Sequence, residues 1–117
     1  MTSESYSATI YTKMFDLLLW LIPLTQKFPK DQRFVLAKRV QDAGLDLYEL
    51  LVRARRTKPP ETRREVLFEA DLKLEQLRLH FRLCKDLKLV SIPQYEQGAR
   101  MTDEIGRLLG DQIKRAT

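Results

Sequence analysis

Residues 62–89 read TRREVLFEADLKLEQLRLHFRLCKDLKL and form the longest segment with a helical period. Apolar side chains recur in it at alternating spacings of three and four, which places them on one side of an α-helix. This row consists of Leu67, Ala70, Leu74, Leu77, Phe81 and Cys84. The pattern predicts an amphipathic helix over residues 62–89 that buries this row against other helices.

Three further segments show the same period, at residues 6–28, 31–56 and 92–115. Each has one row of apolar or small side chains at spacings of three and four, which predicts one buried face. The rows are Ile10, Met14, Leu17, Leu21, Leu24 and Phe28 in the first helix; Ala37, Val40, Gly44, Leu47, Leu51 and Ala54 in the second; and Met101, Ile105, Leu108, Leu109 and Ile113 in the last.

Prolines and caps predict where these helices begin and end. Pro29 ends the first helix, Asp31 is the predicted N-cap of the second, Pro59-Pro60 stops the second, and Pro93 suits the first turn of the fourth. No alternating strand pattern of useful length occurs, and short links between long amphipathic helices give antiparallel neighbours. The sequence predicts an all-α, single-domain up-down-up-down four-helix bundle over residues 1–117.

The third helix has more apolar surface than one row requires. A second row, the outer row, lies roughly 130–170° around the helix by its 3.6-residue geometry. Its members are Phe68, Leu72, Leu79, Leu83 and Val90, and the first helix adds Tyr11, Phe15, Leu18 and Ile22 off its own row. A small bundle buries one row per helix, so this surplus predicts an interface in a closed homo-oligomer. The alternative is a broad, loosely packed core contact.

The excess positive charge is concentrated in RARRTKPPETRR, residues 53–64, which we call the basic turn. Six basic residues face one acid there, and the rest of the chain is balanced, so this segment accounts for the formal net charge of +5. The basic residues are Arg53, Arg55, Arg56, Lys58, Arg63 and Arg64. Such a patch favours binding to a polyanion or an acidic partner. The alternative is a solvated loop that only keeps the protein soluble.

A second group of cations lies on the third helix. Arg78, Arg82 and Lys85 are spaced four and three apart, so they form an aligned basic row between the two apolar rows. The functional interpretation is a cationic groove beside subunit contacts. The alternative is structural, because Asp71 and Glu75 lie earlier in the same row, and acids early with bases late complement the helix dipole.

Small side chains form a ridge on the fourth helix. Gly98, Thr102, Gly106 and Gly110 recur at spacings of four. Each glycine inside a helix costs ~0.5–1 kcal/mol relative to alanine. That cost predicts close packing at this face, within the chain or between chains.

Catalytic and metal-binding patterns are missing from the sequence. His80 and Cys84 are one helical turn apart, but two ligands do not make a metal site and Cys84 falls in the buried row. There is no Gly-rich phosphate loop and no nucleophile with a convincing base, so we expect neither an enzyme nor a cofactor. The longest strongly apolar run, residues 17–24, is far short of the ~20 residues that cross a bilayer. With a single cysteine, we expect a soluble cytoplasmic protein.

The third and fourth helices resemble those of the accessory variability determinant (Avd) proteins of diversity-generating retroelements. The resemblance lies in LRLHFRLCKDLKLVSIPQYEQGARMTDEIGRLLGDQIK, residues 77–114, and includes L-R-x-x-x-R-L, D-L-K-L, Q-Y-E and E-I-G-R-L-L-G. The earlier IPLTQKFPKDQRF, residues 22–34, is similar as well. That stretch is shared with the wider four-helix-bundle family related to proteins encoded in ribosomal-RNA intervening sequences.

This resemblance implies a pentameric barrel of four-helix protomers that binds a reverse transcriptase and its template RNA. Such a protein supports mutagenic synthesis of complementary DNA while the polymerase does the chemistry. Arg78 and Arg82 match basic third-helix positions of the family and are candidate contacts to nucleic acid, which could include DNA, or to the polymerase. The sequence shows no aromatic stacking platform, so binding should be electrostatic and weakly sequence-specific.

Two other functions remain open at this point. The chain could be an intervening-sequence-type bundle of unknown role, which a neighbouring reverse-transcriptase gene would argue against. It could also be an oligomeric adaptor for an acidic protein, which would be indifferent to RNA.

Overall fold

Four α-helices make up most of the part of the chain that the structure, a computed structural model, describes. The backbone is described for residues 3–116 and the side chains from Thr9 onward. The helices are α1 (Ser3–Gln26), α2 (Lys38–Arg56), α3 (Pro60–Asp86) and α4 (Ile92–Arg115). No strand occurs within residues 3–116. No helix in this range is long and apolar enough to cross a membrane.

The helices pack side by side in chain order, and α1 also packs against α4. Neighbours are antiparallel. Tyr11, near the start of α1, donates a hydrogen bond to the carbonyl of Leu51, near the end of α2. Phe81, near the end of α3, stacks on Tyr95, near the start of α4. The prediction of an all-α four-helix fold is therefore confirmed.

The predicted buried rows form the core. Those of α2 and α3 are buried at every position. The rows of the first and fourth helices are fully buried except at four partly buried positions, namely Leu24, Met101, Leu108 and Ile113. Each large aliphatic side chain removed from water contributes about 1.5–3 kcal/mol, so these rows supply the driving force for the bundle.

Two members of the predicted surplus apolar surface are in fact core residues. Val90 is only 6% exposed because α3 ends at Asp86 and the chain turns back, so Val90 does not continue the outer row. Leu18 is 8% exposed and lies against Gly44 of α2, where the missing side chain leaves room for it. The expectation that these two residues remain at the surface is wrong.

The connection between α1 and α2 differs from the prediction. Lys30–Gln32 forms a short 3-10 turn and Arg33–Ala37 a π-helical turn, and the α-helix begins only at Lys38. Pro29 occupies the N-cap position of the 3-10 turn, so Asp31 is not the N-cap of α2.

The link between α3 and α4 is a tight helix-ending motif. Lys88 has a left-handed backbone (φ 62°). Its amide donates to the carbonyl of Lys85, and the amide of Leu89 donates to that of Cys84, which is the Schellman arrangement. The predicted helix end at residue 89 was therefore three residues late. Ser91 then caps α4 through a reciprocal capping box with Gln94.

Candidate nucleic-acid interface

The basic turn connects α2 to α3 at one end of the bundle. Its first three arginines lie in the last turn of α2, where Thr57 donates a 2.7 Å hydrogen bond back to the carbonyl of Arg53. Thr57 itself has an extended backbone, and Pro59 and Pro60 begin α3. Two consecutive prolines cannot continue α2, so the sequence forces the cations of two helix ends together.

The six cations of the basic turn have no carboxylate partner among residues 9–116, whose side chains the structure describes. Glu61 is the single acid in the segment. Five of the cations are exposed and Arg63 is half-buried. Cations elsewhere in the chain do form ion pairs with carboxylates, for example Lys13 with Glu104 at 3.2 Å. The turn is thus a local concentration of positive charge.

Helix dipoles distinguish the two sides of the basic turn. Arginines at the C-terminal end of α2 complement the negative end of its dipole. Arg63 and Arg64 lie just inside the positive N-terminal end of α3, where a cation is unfavourable by about 0.3–1 kcal/mol at most. Helix stability alone therefore does not account for the basic residues on the α3 side.

Two arginines of the basic turn rest on aromatic rings. The guanidinium of Arg55 lies 4.6 Å from the ring centroid of Tyr11, and that of Arg64 lies 5.3 Å from that of Phe68. Burial raises the pKa of Tyr11, while the charge of Arg55 acts in the opposite direction. The Tyr11 hydroxyl therefore stays protonated at neutral pH and donates to the Leu51 carbonyl.

An aromatic cluster adjoins the basic turn on the α1/α2 face. The rings of Tyr11 and Tyr48 are 6.4 Å apart, and those of Phe15 and Tyr48 are 5.6 Å apart, both edge to face. The sequence did not predict this cluster, because Phe15 lies on α1 and Tyr48 lies on α2, far away along the chain. The four-residue spacing of Tyr11 and Phe15 was the available signal.

The basic row of α3 is largely engaged in packing against α4. Arg78 donates a 2.9 Å hydrogen bond to the carbonyl of Thr102 and pairs with Asp103 at 3.2 Å. Arg82 and Lys85 both approach Asp86, at 3.9 and 3.6 Å. The basic row therefore pairs with an acid of α4 and with Asp86 at the end of α3. It does not pair with Asp71 or Glu75, the earlier acids of the same row, in any ion pair among the described residues.

Lys85 has a second contact. Its ammonium lies 4.6 Å from the ring centroid of Tyr95, which in turn stacks on Phe81. Arg82 is the most exposed of the basic row, with two thirds of its side chain in solvent (66%). Of the three cations, Arg82 is the one most available to an external anion.

The glycine ridge of α4 packs closely on α3 at two of its positions. A Cβ on Gly98 would lie 2.4 Å from the Phe81 ring, and one on Gly106 would lie 2.7 Å from a guanidinium nitrogen of Arg78. Gly110 has open space where its Cβ would be. The predicted close packing is confirmed at Gly98 and Gly106, and it occurs within the chain.

His80 and Cys84 have separate environments. Burial, aided by Arg39 and Lys73, lowers the pKa of His80, so its imidazole is neutral at pH 7. Burial raises the pKa of Cys84 to about 11, which keeps it a thiol. Among the described residues no three His, Cys, Asp or Glu side chains are placed to hold a metal ion.

The outer row of α3 remains at the surface apart from Val90. Its four members are each about half exposed (45–57%): Phe68, Leu72, Leu79 and Leu83. They lie within one stripe on the side of α3 away from the core. This surface is apolar and continuous with the basic turn through Arg64 and Phe68.

Comparison with known proteins identifies a family by sequence and a shared fold by structure. The sequence pattern of the bAvd-like family matches residues 8–116. Among solved structures, the chain is similar to a protein of unknown function from the S23 ribosomal protein family of Bacteroides thetaiotaomicron. The TM-score is 0.85 over 93% of this chain and 98% of that one, at 18% identity, which shows a shared fold. No curated protein matches the sequence.

Proposed function

Because this chain belongs to the bAvd-like family, we propose that it is the accessory protein of a diversity-generating retroelement. In this role it binds the reverse transcriptase and the template RNA of the element and supports mutagenic synthesis of complementary DNA. The polymerase supplies the chemistry, and this protein supplies binding surfaces.

The basic turn is the observation that carries this proposal. Six cations lie together at one end of the bundle without a carboxylate partner among the described side chains, and two of them are near the unfavourable end of a helix dipole. These side chains would replace the cations condensed on the phosphates of an RNA, and the release of those counterions drives association. Six phosphate contacts on a single strand correspond to a slope of about −4 in log affinity against log salt.

The outer row supports a homo-oligomeric form of this function. Four half-exposed apolar side chains along one face of α3 are suited to a contact with a second copy of the chain. A closed ring, with five subunits as the family resemblance implies, would present one basic turn per subunit. Several turns acting on one RNA would raise the overall affinity well above that of a single turn.

The RNA part of the proposal is tested by removing charge from the turn alone. In the test variant Arg53, Arg56, Lys58 and Arg63 are each replaced by Gln, which leaves the two ring-contacting arginines in place. The control variant replaces four cations outside the basic turn and outside the basic row of α3 with Gln, namely Lys13, Lys38, Lys73 and Arg100. Both lose four positive charges, so net charge is matched.

We expect the turn variant to bind template RNA more weakly and to lower the salt slope by about 3. The control should keep most of the affinity and slope. Equal losses in the two variants would mean that net charge, and not the turn, governs binding. Unchanged binding in the turn variant would contradict this part of the proposal.

The polymerase part is tested with the reverse transcriptase of the same element. The protein should be inert alone, co-purify with the polymerase, and raise its synthesis of complementary DNA on the template RNA. The complex should weaken with added salt if charge assists association. A polymerase that neither binds the protein nor needs it on that template would refute this function.

A further inference from the structure

The aromatic cluster on the α1/α2 face has the properties of a base-stacking surface. Phe15 is 54% exposed, although burying a phenyl ring is favourable. Tyr48 meets it edge to face, with ring centroids 5.6 Å apart. The Phe15 ring is therefore held by a neighbour on one side and open to solvent on the other.

The base of the cluster is fixed before any ligand arrives. The Tyr11 hydroxyl is hydrogen-bonded to the Leu51 carbonyl on α2, and its ring is covered by the Arg55 guanidinium at 4.6 Å. Tyr11 and Tyr48 are half-buried and pack against the core. The rings of Tyr11 and Tyr48 therefore lose little conformational freedom when a ligand binds, which favours affinity.

Arg55 joins the cluster to the basic turn, since it belongs to both. Tyr48 and Arg55 are seven residues apart on α2, a rise of about 10 Å. A stacked single strand rises about 3.4 Å per nucleotide, so this distance spans about three nucleotides. A strand whose phosphates lie on the basic turn can thus reach the cluster with bases only a few nucleotides away.

We propose that the Tyr11–Phe15–Tyr48 cluster stacks bases of a single-stranded polynucleotide whose phosphates are held by the adjacent basic turn. The inference rests on the proposed RNA-binding function. It adds that the bound segment is single-stranded and that its bases contact the protein. Stacking is independent of sequence because every base has a π-face, and duplex bases are already stacked on each other. The surface therefore selects unpaired segments of the RNA.

Charge distinguishes this occupant from a second copy of the chain. The cations of the turn that follow the cluster along α2, Arg53, Arg55, Arg56 and Lys58, form no ion pair with a carboxylate among the residues whose side chains are described. A polyanion supplies negative charge at every phosphate, whereas a second copy of the chain, with its net charge of +5, adds positive charge.

The test replaces Phe15 with Ala and compares it with Leu19→Ala, a matched loss of an exposed apolar side chain one turn further along α1. Three probes of equal length are used: a single-stranded RNA, an RNA duplex, and an abasic single strand that keeps its phosphates. Helicity and mass by light scattering are measured for each variant.

We expect Phe15→Ala to bind the single-stranded RNA about 5- to 150-fold more weakly, with an unchanged salt slope. Its affinity for the duplex and the abasic strand should be unchanged. Leu19→Ala should bind all three probes as the wild type does. In addition, Phe15→Trp should retain binding and show fluorescence quenching by the single strand beyond that of wild-type Trp20.

The inference is overturned if Phe15→Ala binds the single strand normally, or loses the same factor on the abasic strand. It is also overturned if Phe15→Ala lowers the oligomer mass while leaving RNA affinity intact, because the face would then be a self-association contact. A wild-type protein that binds no RNA at all would instead refute the proposed function. The two failures are therefore distinguishable.

Discussion

The guanidinium of Arg78 donates a hydrogen bond to the main-chain carbonyl of Thr102, joining α3 to α4 at 2.9 Å. The same side chain pairs with Asp103, and Gly106 leaves the space that the guanidinium occupies. A residue that the sequence presents as a candidate RNA contact thus has a role in holding two helices together. Arg78 therefore differs in role from Arg82, although the sequence pattern places both in the same basic row.

Arg78→Ala should destabilise the fold by about 1–2 kcal/mol, because a charge-assisted hydrogen bond to α4 is lost. Arg82→Ala should change the free energy of unfolding by less than about 0.5 kcal/mol, since its ion pair with Asp86 is exposed and long. Urea denaturation of both variants measures the difference. Equal stabilities would show that the contact with Thr102 contributes nothing.

Lys88→Gly should stabilise the protein by about 0.5–1 kcal/mol. Lys88 has a left-handed backbone, which costs a residue with a Cβ about 1 kcal/mol or more and costs glycine nothing. The greater freedom of glycine in the unfolded chain offsets part of this gain. Lys88→Ala is the control, because it removes the charge and keeps the Cβ. A melting temperature that rises equally in both variants would point to charge instead.

Gly98→Ala and Gly110→Ala should change stability in opposite directions. A methyl on Gly98 would meet the Phe81 ring, which is held between Trp20 and Tyr95 and cannot move freely. We expect a loss of about 1–3 kcal/mol from overpacking. Gly110 has open space, so alanine there should gain about 0.5–1 kcal/mol through helix propensity.

Chemical denaturation of the two glycine variants at equal protein concentration gives both values. A stable Gly98→Ala protein would show that the ring can shift. A destabilised Gly110→Ala protein of reduced mass would place Gly110 at a contact between copies.

Leu79→Glu with Leu83→Glu should lower the mass in solution, because two charges on the outer row would be buried unpaired in a contact between copies. Light scattering at micromolar concentration should give several times 13.8 kDa for the wild type. Gln26→Glu with Thr62→Glu is the control, since it adds two acids at exposed positions outside the row. A folded wild-type protein that is monomeric would contradict an oligomer that forms through the outer row.

The sequence by itself determined the features that depend on neighbours along the chain. Helical period predicted four helices and nearly all of the buried rows, because the spacing of apolar residues fixes which side of a helix avoids water. Pro59-Pro60 determined that the basic turn is a tight link with its cations at two helix ends. Those predictions needed no knowledge of how one helix is rotated against another.

Only the tertiary structure decided which side chains meet across helices. The partner of Arg78 lies 24 residues away on α4, and Phe15 meets Tyr48 on a different helix. Val90 left the outer row because a left-handed residue at Lys88 turned the chain back toward the core. Such contacts follow from the relative rotation and offset of packed helices, which many weak packing interactions set together and which no local spacing encodes.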